Sequence, residues 1–337
     1  MAGRRGRCHG ELVAAGDVLR EVVERTVVSD HVGKSGAGLE RVRLRDGRAL
    51  VVKRVDPQHD VTLAMTGGGP SREYLLWRDG AFDRLPPGIG HAVVDGWVEG
   101  DSTVLVLRDL GDHVLSWADR LSPDRAARTM TAVASLHRAF LGQAPPDLAP
   151  LDLVLTLFTP RRIRAAELAE VELMQLALRG WELFGDAVPT DVAEAVLGLL
   201  DDPAPLVTAL HHAPATLAHG DLATVNMAFD GDDLVLLDWA MATQGPGALD
   251  VARFVAGCSS VVDATREDLI GWYRAAAGPA CDDRTMHLGL LSAMVWLGWN
   301  KALDAVEHPD PAIRARERTD LDWWVDATRT ALESGAI

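Results

Sequence analysis

Apolar and polar positions alternate from Leu39 to Val55, "LERVRLRDGRALVVKRV", on either side of Asp46-Gly47. Strict alternation broken by Asp-Gly predicts two strands joined by a tight hairpin. A second alternating stretch, "HAVVDGWVEGDSTVLVLRDL", predicts two further strands with a turn near Gly100. Between them "TGGGPSREYLLWRDGAF" reads as a glycine-rich loop entering a helix, with Ser71 as N-cap. Residues 11–26 have the spacing of an amphipathic helix. The first third of the chain, roughly residues 27–110, is therefore expected to be a small sheet with one long helix.

Beyond Asp124 the period changes to helical. Helices are expected over 124–140, 160–184, 190–201, 247–277 and 284–306, and from Pro311 onward. "LGQAPPDLAP" is a proline-rich break, and residues 216–238 return to loop and hairpin. Strands followed by helices give an α+β protein. At 337 residues the chain has room for two lobes, expected as 1–110 and 111–337, and 48% hydrophobic residues supply their core.

Charge and cysteine content narrow the function. A net charge of −16 argues against nucleic acid or an anionic membrane as partner. Cys8, Cys258 and Cys281 are odd in number and far apart, which fits neither a disulfide framework nor a zinc site and points to a reducing cytoplasm. The basic N-terminus develops no apolar signal core, and "LLSAMVWLGW" is too short to span a bilayer.

One stretch carries chemistry: "HGDLATVNM", His219 to Met227, followed by "LVLLDW", an apolar strand that delivers Asp238. Asp221, Asn226 and Asp238 lie within seventeen positions, and a loop with a short hairpin can bring them together. Asn226 and Asp238 offer hard oxygen ligands suited to Mg²⁺ beside phosphates. Asp221 is then free to receive or orient a hydroxyl proton, and phosphoryl transfer needs mainly such positioning and charge neutralisation.

"HGDLATVN" with "LLDWA" resembles the catalytic motif and metal-binding aspartate of the aminoglycoside phosphotransferase and choline kinase-like family. That resemblance implies a protein-kinase-like fold with an antiparallel-sheet N-lobe and a larger helical C-lobe. It implies that Asp221 is the catalytic base, that Asn226 and Asp238 bind Mg²⁺ and that His219 is structural. "GPGALDVARF" resembles the family's downstream segment, so Asp250 would brace the catalytic loop from a helix start. Ala223-Thr224 departs from the His-Pro many members carry, which affects loop stiffness but removes no metal ligand.

The N-terminal third supplies matching parts in the right order. Lys53 in "ALVVKRV" would hold the α- and β-phosphates of ATP, and Glu73 in "SREYLLW" would pair with it. "TVLVLRDLG" resembles the hinge strand, so backbone groups of Arg108, Asp109 and Leu110 would meet the adenine. The turn holding Ser35 and Gly36 would cradle phosphates through backbone N–H groups. Its "GKS" is not a Walker A motif, because Val28 stands where a glycine is required and a strand, not a helix, should follow.

Other features have ordinary readings. His211-His212 suit a surface or capping role, and Trp272, Trp296, Trp299, Trp323 and Trp324 suit a helical core. Asp304, Glu307, Asp310 and Asp320 read as a solvated face, with attraction of a polyamine as the alternative.

The expectation is an ATP- and Mg²⁺-dependent kinase of a small-molecule hydroxyl (an antibiotic, a sugar or an amino alcohol), acting as a monomer or homodimer. Residues 141–210 and 265–337 would form its acceptor pocket. A protein kinase is the second reading, against which stand "HGD" for "HRD" and only twelve positions between Asp238 and Asp250. A non-catalytic nucleotide-binding regulator is the third, although Lys53, Asp221, Asn226 and Asp238 are all retained.

Overall fold

The computed structural model describes residues 16–28 and 36–337. Its first unit is a five-stranded antiparallel sheet in the order β1-β2-β3-β6-β5. The strands are β1 (Val22–Val27), β2 (Gly38–Leu44), β3 (Ala49–Val55), β5 (Val93–Glu99) and β6 (Ser102–Arg108). The Asp-Gly hairpin forms as expected, with Gly47 at φ +89°. Two short helices, α1 (Val61–Met65) and α2 (Arg72–Arg78), follow β3, and α2 packs against β5.

The helix expected over 11–26 does not form where it is described. Asp17–Glu21 is one 3₁₀ turn, and Val22–Val27 pairs with β2. Val22, Val23, Thr26 and Val27 are β-branched, and a free sheet edge lets that preference win over the helical spacing. The long helix expected after the glycine-rich loop is the seven-residue α2, stopped where Gly80 turns to φ +73°. Ser71 stands at its N-cap position but makes no side-chain cap bond; instead its N–H donates to Thr103 Oγ1 (3.0 Å), tying the helix to the sheet.

A second, three-stranded sheet stitches the two parts of the chain together. β4 (Ile89–His91) runs parallel to β9 (Asp233–Leu236), which pairs antiparallel with β8 (Met227–Asp230). β7 (Thr216–Ala218) and β10 (Thr243–Gly245) form a two-stranded ribbon around the catalytic loop. The chain leaving β6 docks on β8, with Leu115 N–H donating to the Met227 carbonyl (2.9 Å) and Arg108 paired with Asp230 (2.8 Å).

The helices are α3 (Pro123–Ala139), α4 (Leu151–Leu155), α5 (Pro160–Ala165), α6 (Glu172–Ala187), α7 (Thr190–Asp201), α8 (Ala204–His211), α9 (Ala248–Cys258), α10 (Arg266–Ala277), α11 (Asp283–Glu307) and α12 (Pro311–Glu333). α11 buries residues on most of its faces and packs against α6, α9 and α12, which makes it the axis of the helical core. Caps are local and sequence-coded: Ser122 before Pro123, Asp282 before α11, Asp310 before Pro311, and a capping box from Thr265 and Asp268.

Two stretches expected as single helices are each two. Residues 160–184 break between α5 and α6, where Glu167 adopts φ +57°. Helix formers occupy this stretch, so the break is tertiary: Arg162 leaves the helix surface to donate to the Leu153 carbonyl (2.8 Å), Thr156 Oγ1 (3.0 Å) and the Met65 carbonyl. Residues 247–277 divide into α9 and α10 at the Thr265 capping box.

Candidate functional site

His219-Gly220-Asp221 leaves β7 as a loop whose backbone is held from below. Asp250, at the start of α9 and fully buried, accepts from His219 N–H at Oδ2 (2.7 Å) and from Gly220 N–H at Oδ1 (2.8 Å). His137 Nε2 lies 3.0 Å from the same Oδ2, and its Nδ1 lies 2.8 Å from the Tyr273 hydroxyl. Burial works against the Asp250 charge, but His137, His219 and the Gly220 N–H hold its carboxyl below the usual range. This is the bracing role the sequence suggests.

Gly220 sits at φ +84°, and a Cβ there would fall 2.0 Å from the Met241 carbonyl oxygen, so only glycine fits. His219 is wholly buried against the Trp239 ring (4.7 Å between centroids). It donates from Nε2 to the Leu237 carbonyl (2.9 Å) and accepts at Nδ1 from Asp221 N–H (3.3 Å). One tautomer serves both contacts, and the loop is thereby locked to the strand that carries Asp238.

Asp221 projects from this loop with its side chain 30% exposed. Both its oxygens are engaged: Asn226 Nδ2 donates to Oδ2 (3.1 Å), and Arg253 Nε to Oδ1 (2.9 Å). Asp238 follows β9 in a left-handed conformation, φ +57°, which turns it away from the strand axis. Lys53 on β3 reaches across to Asp238 Oδ1 (2.8 Å) and is held from behind by Glu73 on α2 (3.0 Å). Burial of Lys53 opposes its charge, but the two carboxylates outweigh it and raise its pKa. Lys53 in turn holds Asp238 low against the cost of its own burial.

Lys53, Asp221, Asn226 and Asp238 all line one cavity of ≈ 1140 Å³. Asn226 spends its amide nitrogen on Asp221, while the Asp238 carboxylate accepts from Lys53 and from the Ala240 backbone N–H. The Asn226 amide oxygen and the Asp238 carboxylate are hard oxygen donors in one cavity, a set that suits Mg²⁺, which takes few protein ligands and completes its shell with phosphates and water. Among the described residues no group of three or more His, Cys, Asp or Glu side chains clusters as a metal site.

At the hinge, Asp109 and Leu110 line the cavity beside Val51 and Leu107. Arg108 lines the cavity with them, and its N–H donates to the Ala92 carbonyl (2.8 Å). Gly36 lies at the edge of the described residues. It packs at φ +100° against the His59 carbonyl, 2.1 Å from where a Cβ would stand, and its neighbour Ala37 forms the cavity wall. Ser35 lies outside the described residues, while the strand Gly38–Leu44 that follows agrees with the exclusion of a Walker A loop.

Sequence reasoning missed Arg253. It lies three positions after Asp250 in "LDVARF", one helical turn along the same face, and that spacing was the available signal. Gly257 makes room for it, since a Cβ there would come 2.1 Å from Nη1. The guanidinium lies over Trp296, 5.3 Å from the ring centroid. Trp296 and Trp299 form cavity wall as well as core. Of the acidic residues read as a solvated face, Asp320 is only 4% exposed and pairs with Lys301, and Asp304 lines the cavity. Glu307 pairs with Arg179, and Asp310 caps α12. His212 Nδ1 donates to the Thr208 carbonyl (2.8 Å) at the end of α8, the capping role foreseen.

A small antiparallel sheet set over a helical body, with a lysine, three short polar side chains and a hinge around one cavity, defines a phosphotransferase with a kinase-like fold. The sequence pattern of the phosphotransferase enzyme family matches residues 34–284, and the chain belongs to that family. No curated protein matches the sequence significantly. Among solved structures, the choline kinase LicA from Streptococcus pneumoniae shares 11% identity over 93% of this chain and 96% of its own, with a TM-score of 0.53. Amicoumacin kinase hAmiN, solved with AMP-PNP, Ca²⁺ and its ligand, shares 12% over 92% and 89%, with a TM-score of 0.53. An aminoglycoside phosphotransferase from Alicyclobacillus acidocaldarius shares 17% over 98% and 97%, with a TM-score of 0.51. At these identities the likeness is one of fold. No helix among the described residues is long and apolar enough to cross a membrane.

Proposed function

We propose that the protein transfers the γ-phosphoryl group of ATP to a hydroxyl of a small molecule, with Mg²⁺ held by Asn226 and Asp238. The observation that carries this is the convergence of Lys53, Asp221, Asn226 and Asp238 on one cavity bounded by a hinge. Lys53, steadied by Glu73, takes the α- and β-phosphates, and the backbone at Asp109 and Leu110 meets the adenine between Val51 and Leu107. A bound Mg²⁺ would offset the negative charge of the phosphates. Asp221 accepts the hydrogen of the incoming hydroxyl. Asn226 and Arg253 fix its two oxygens, so the carboxylate meets the alcohol in one orientation.

The nucleotide complexes among proteins of similar fold, and names such as amicoumacin kinase and choline kinase, support a small-molecule acceptor. Antibiotics, sugars and amino alcohols are the candidate classes, in a cytoplasmic monomer or homodimer. A protein substrate is disfavoured because β10 begins five positions after Asp238, leaving no length for a substrate-docking activation segment.

The test is ATP consumption with Mg²⁺ over a panel of aminoglycosides, sugars and amino alcohols, beside Asp221→Ala. Turnover with at least one acceptor that Asp221→Ala abolishes supports the reading. Mg-ATP binding without turnover on any acceptor favours a regulator instead.

A further inference from the structure

Beyond Asp221 the cavity wall changes character. Arg253 leads to Trp296, and Trp296 to Phe158 and Trp299, with ring centroids 6.1 Å and 5.2 Å from Phe158. Leu157 and Met174 extend this apolar surface. Phe158 is half-buried, and Trp296 and Trp299 show 6% and 5% of their surface, so the small aromatic area they turn to the cavity would meet a flat apolar ring or the apolar face of a sugar.

Most of the charges beyond the aromatic wall are already matched. Glu317 is held by Lys301 at one oxygen and by Arg316 at the other (2.8 Å). Asp320 accepts from Lys301 (3.3 Å) and from Arg266. Asp221 and Asp238 carry Arg253 and Lys53. Asp304 accepts from Asn300 (3.2 Å), and burial with the nearby Glu317 raises its pKa above the usual carboxylate value. One face of Trp296 already carries a guanidinium. Among the described residues Asp304 alone of these carboxylates has no ion-pair partner, so one ammonium group could be matched there, while a ligand with several would lose its hydration without further carboxylates to meet and would face Arg253, Lys301 and Arg316.

We propose that the acceptor is an alcohol borne on a flat, largely apolar or sugar-like ring system with at most one ammonium group, not a polycation, and that Phe158, Trp296 and Trp299 are its platform. This rests on the phosphotransfer reading and narrows its substrate.

The test is titration calorimetry on the full chain with Mg²⁺ and AMP-PNP, using p-nitrophenyl β-D-glucopyranoside as neutral probe and kanamycin as polycation. The neutral probe is expected to bind at least about tenfold more tightly. Arg316→Ala, at a half-exposed position, releases one Glu317 oxygen and is expected to tighten kanamycin and leave the neutral probe unchanged. Tighter binding of kanamycin by the wild type, binding of neither probe, or no response to Arg316→Ala would each overturn the assignment. Asp221-dependent phosphorylation of kanamycin would overturn it and leave phosphotransfer standing. Neutral-probe binding without turnover on any alcohol would do the reverse.

Discussion

Replacing Asp250 by asparagine tests the base of the catalytic loop without touching a cavity residue. The carboxylate accepts two backbone N–H groups, one at each oxygen, and the His137 imidazole on the second. An asparagine offers one oxygen and one NH₂. Whichever way the amide turns, a backbone N–H of His219 or Gly220 faces another donor. Losing one hydrogen bond to a charged acceptor costs about 1.5–3 kcal/mol, and a buried donor left unsatisfied adds about 1–3 kcal/mol. The expected loss is therefore about 2.5–6 kcal/mol, a large part of the roughly 5–15 kcal/mol that holds a domain folded. At roughly 2 °C per kcal/mol for a chain of this size, Tm falls by about 5–12 °C.

The pH dependence follows from the sign of the shift. The folded carboxyl is held below its unfolded value, so its contribution is complete above the unfolded pKa of about 3.9 and is lost as pH falls through the lower folded one. The gap in Tm between wild type and Asp250→Asn should be constant near neutrality and close below about pH 4. Differential scanning calorimetry from pH 3 to 8 reads both quantities. A Tm within about 2 °C of wild type, or a gap that persists unchanged at the acid end, would refute the account of Asp250 as a charged brace.

Three further outcomes are expected. Asp221→Asn should lower kcat by about 10²–10⁴ while nucleotide affinity, measured by calorimetry, persists; unchanged turnover would remove Asp221 from its role. Asp238→Ala should weaken Mg-ATP binding, since it deletes the proposed metal oxygen and leaves Lys53 with Glu73 alone; equal affinity would contradict this. Gly257→Ala should push the Arg253 guanidinium off Asp221 and lower kcat by at least about tenfold with little change in ATP KM; a steady-state assay showing wild-type kcat would mean Arg253 does not position the base.

The sequence by itself determined the parts whose physics is local. The Asp-Gly hairpin, the caps at Ser122 and Asp310, and the run from His219 to Asp238 each follow from neighbours within a few positions. The order Lys53, Glu73, Asp221, Asn226, Asp238 was enough to foresee the convergence, because a motif fixes spacing and a strand end fixes direction. Only the tertiary structure decided what depends on distant partners. Val22–Val27 became a strand because β2 offered it an edge, and α5 ended where Arg162 found carbonyls on other segments. Arg108 lost its free N–H to Ala92, Asp304 and Asp320 turned inward with α11 and α12, and Arg253 reached Asp221 through space that Gly257 leaves open. Periodicity reports which face of an element is apolar; what that face meets is set by packing across the chain.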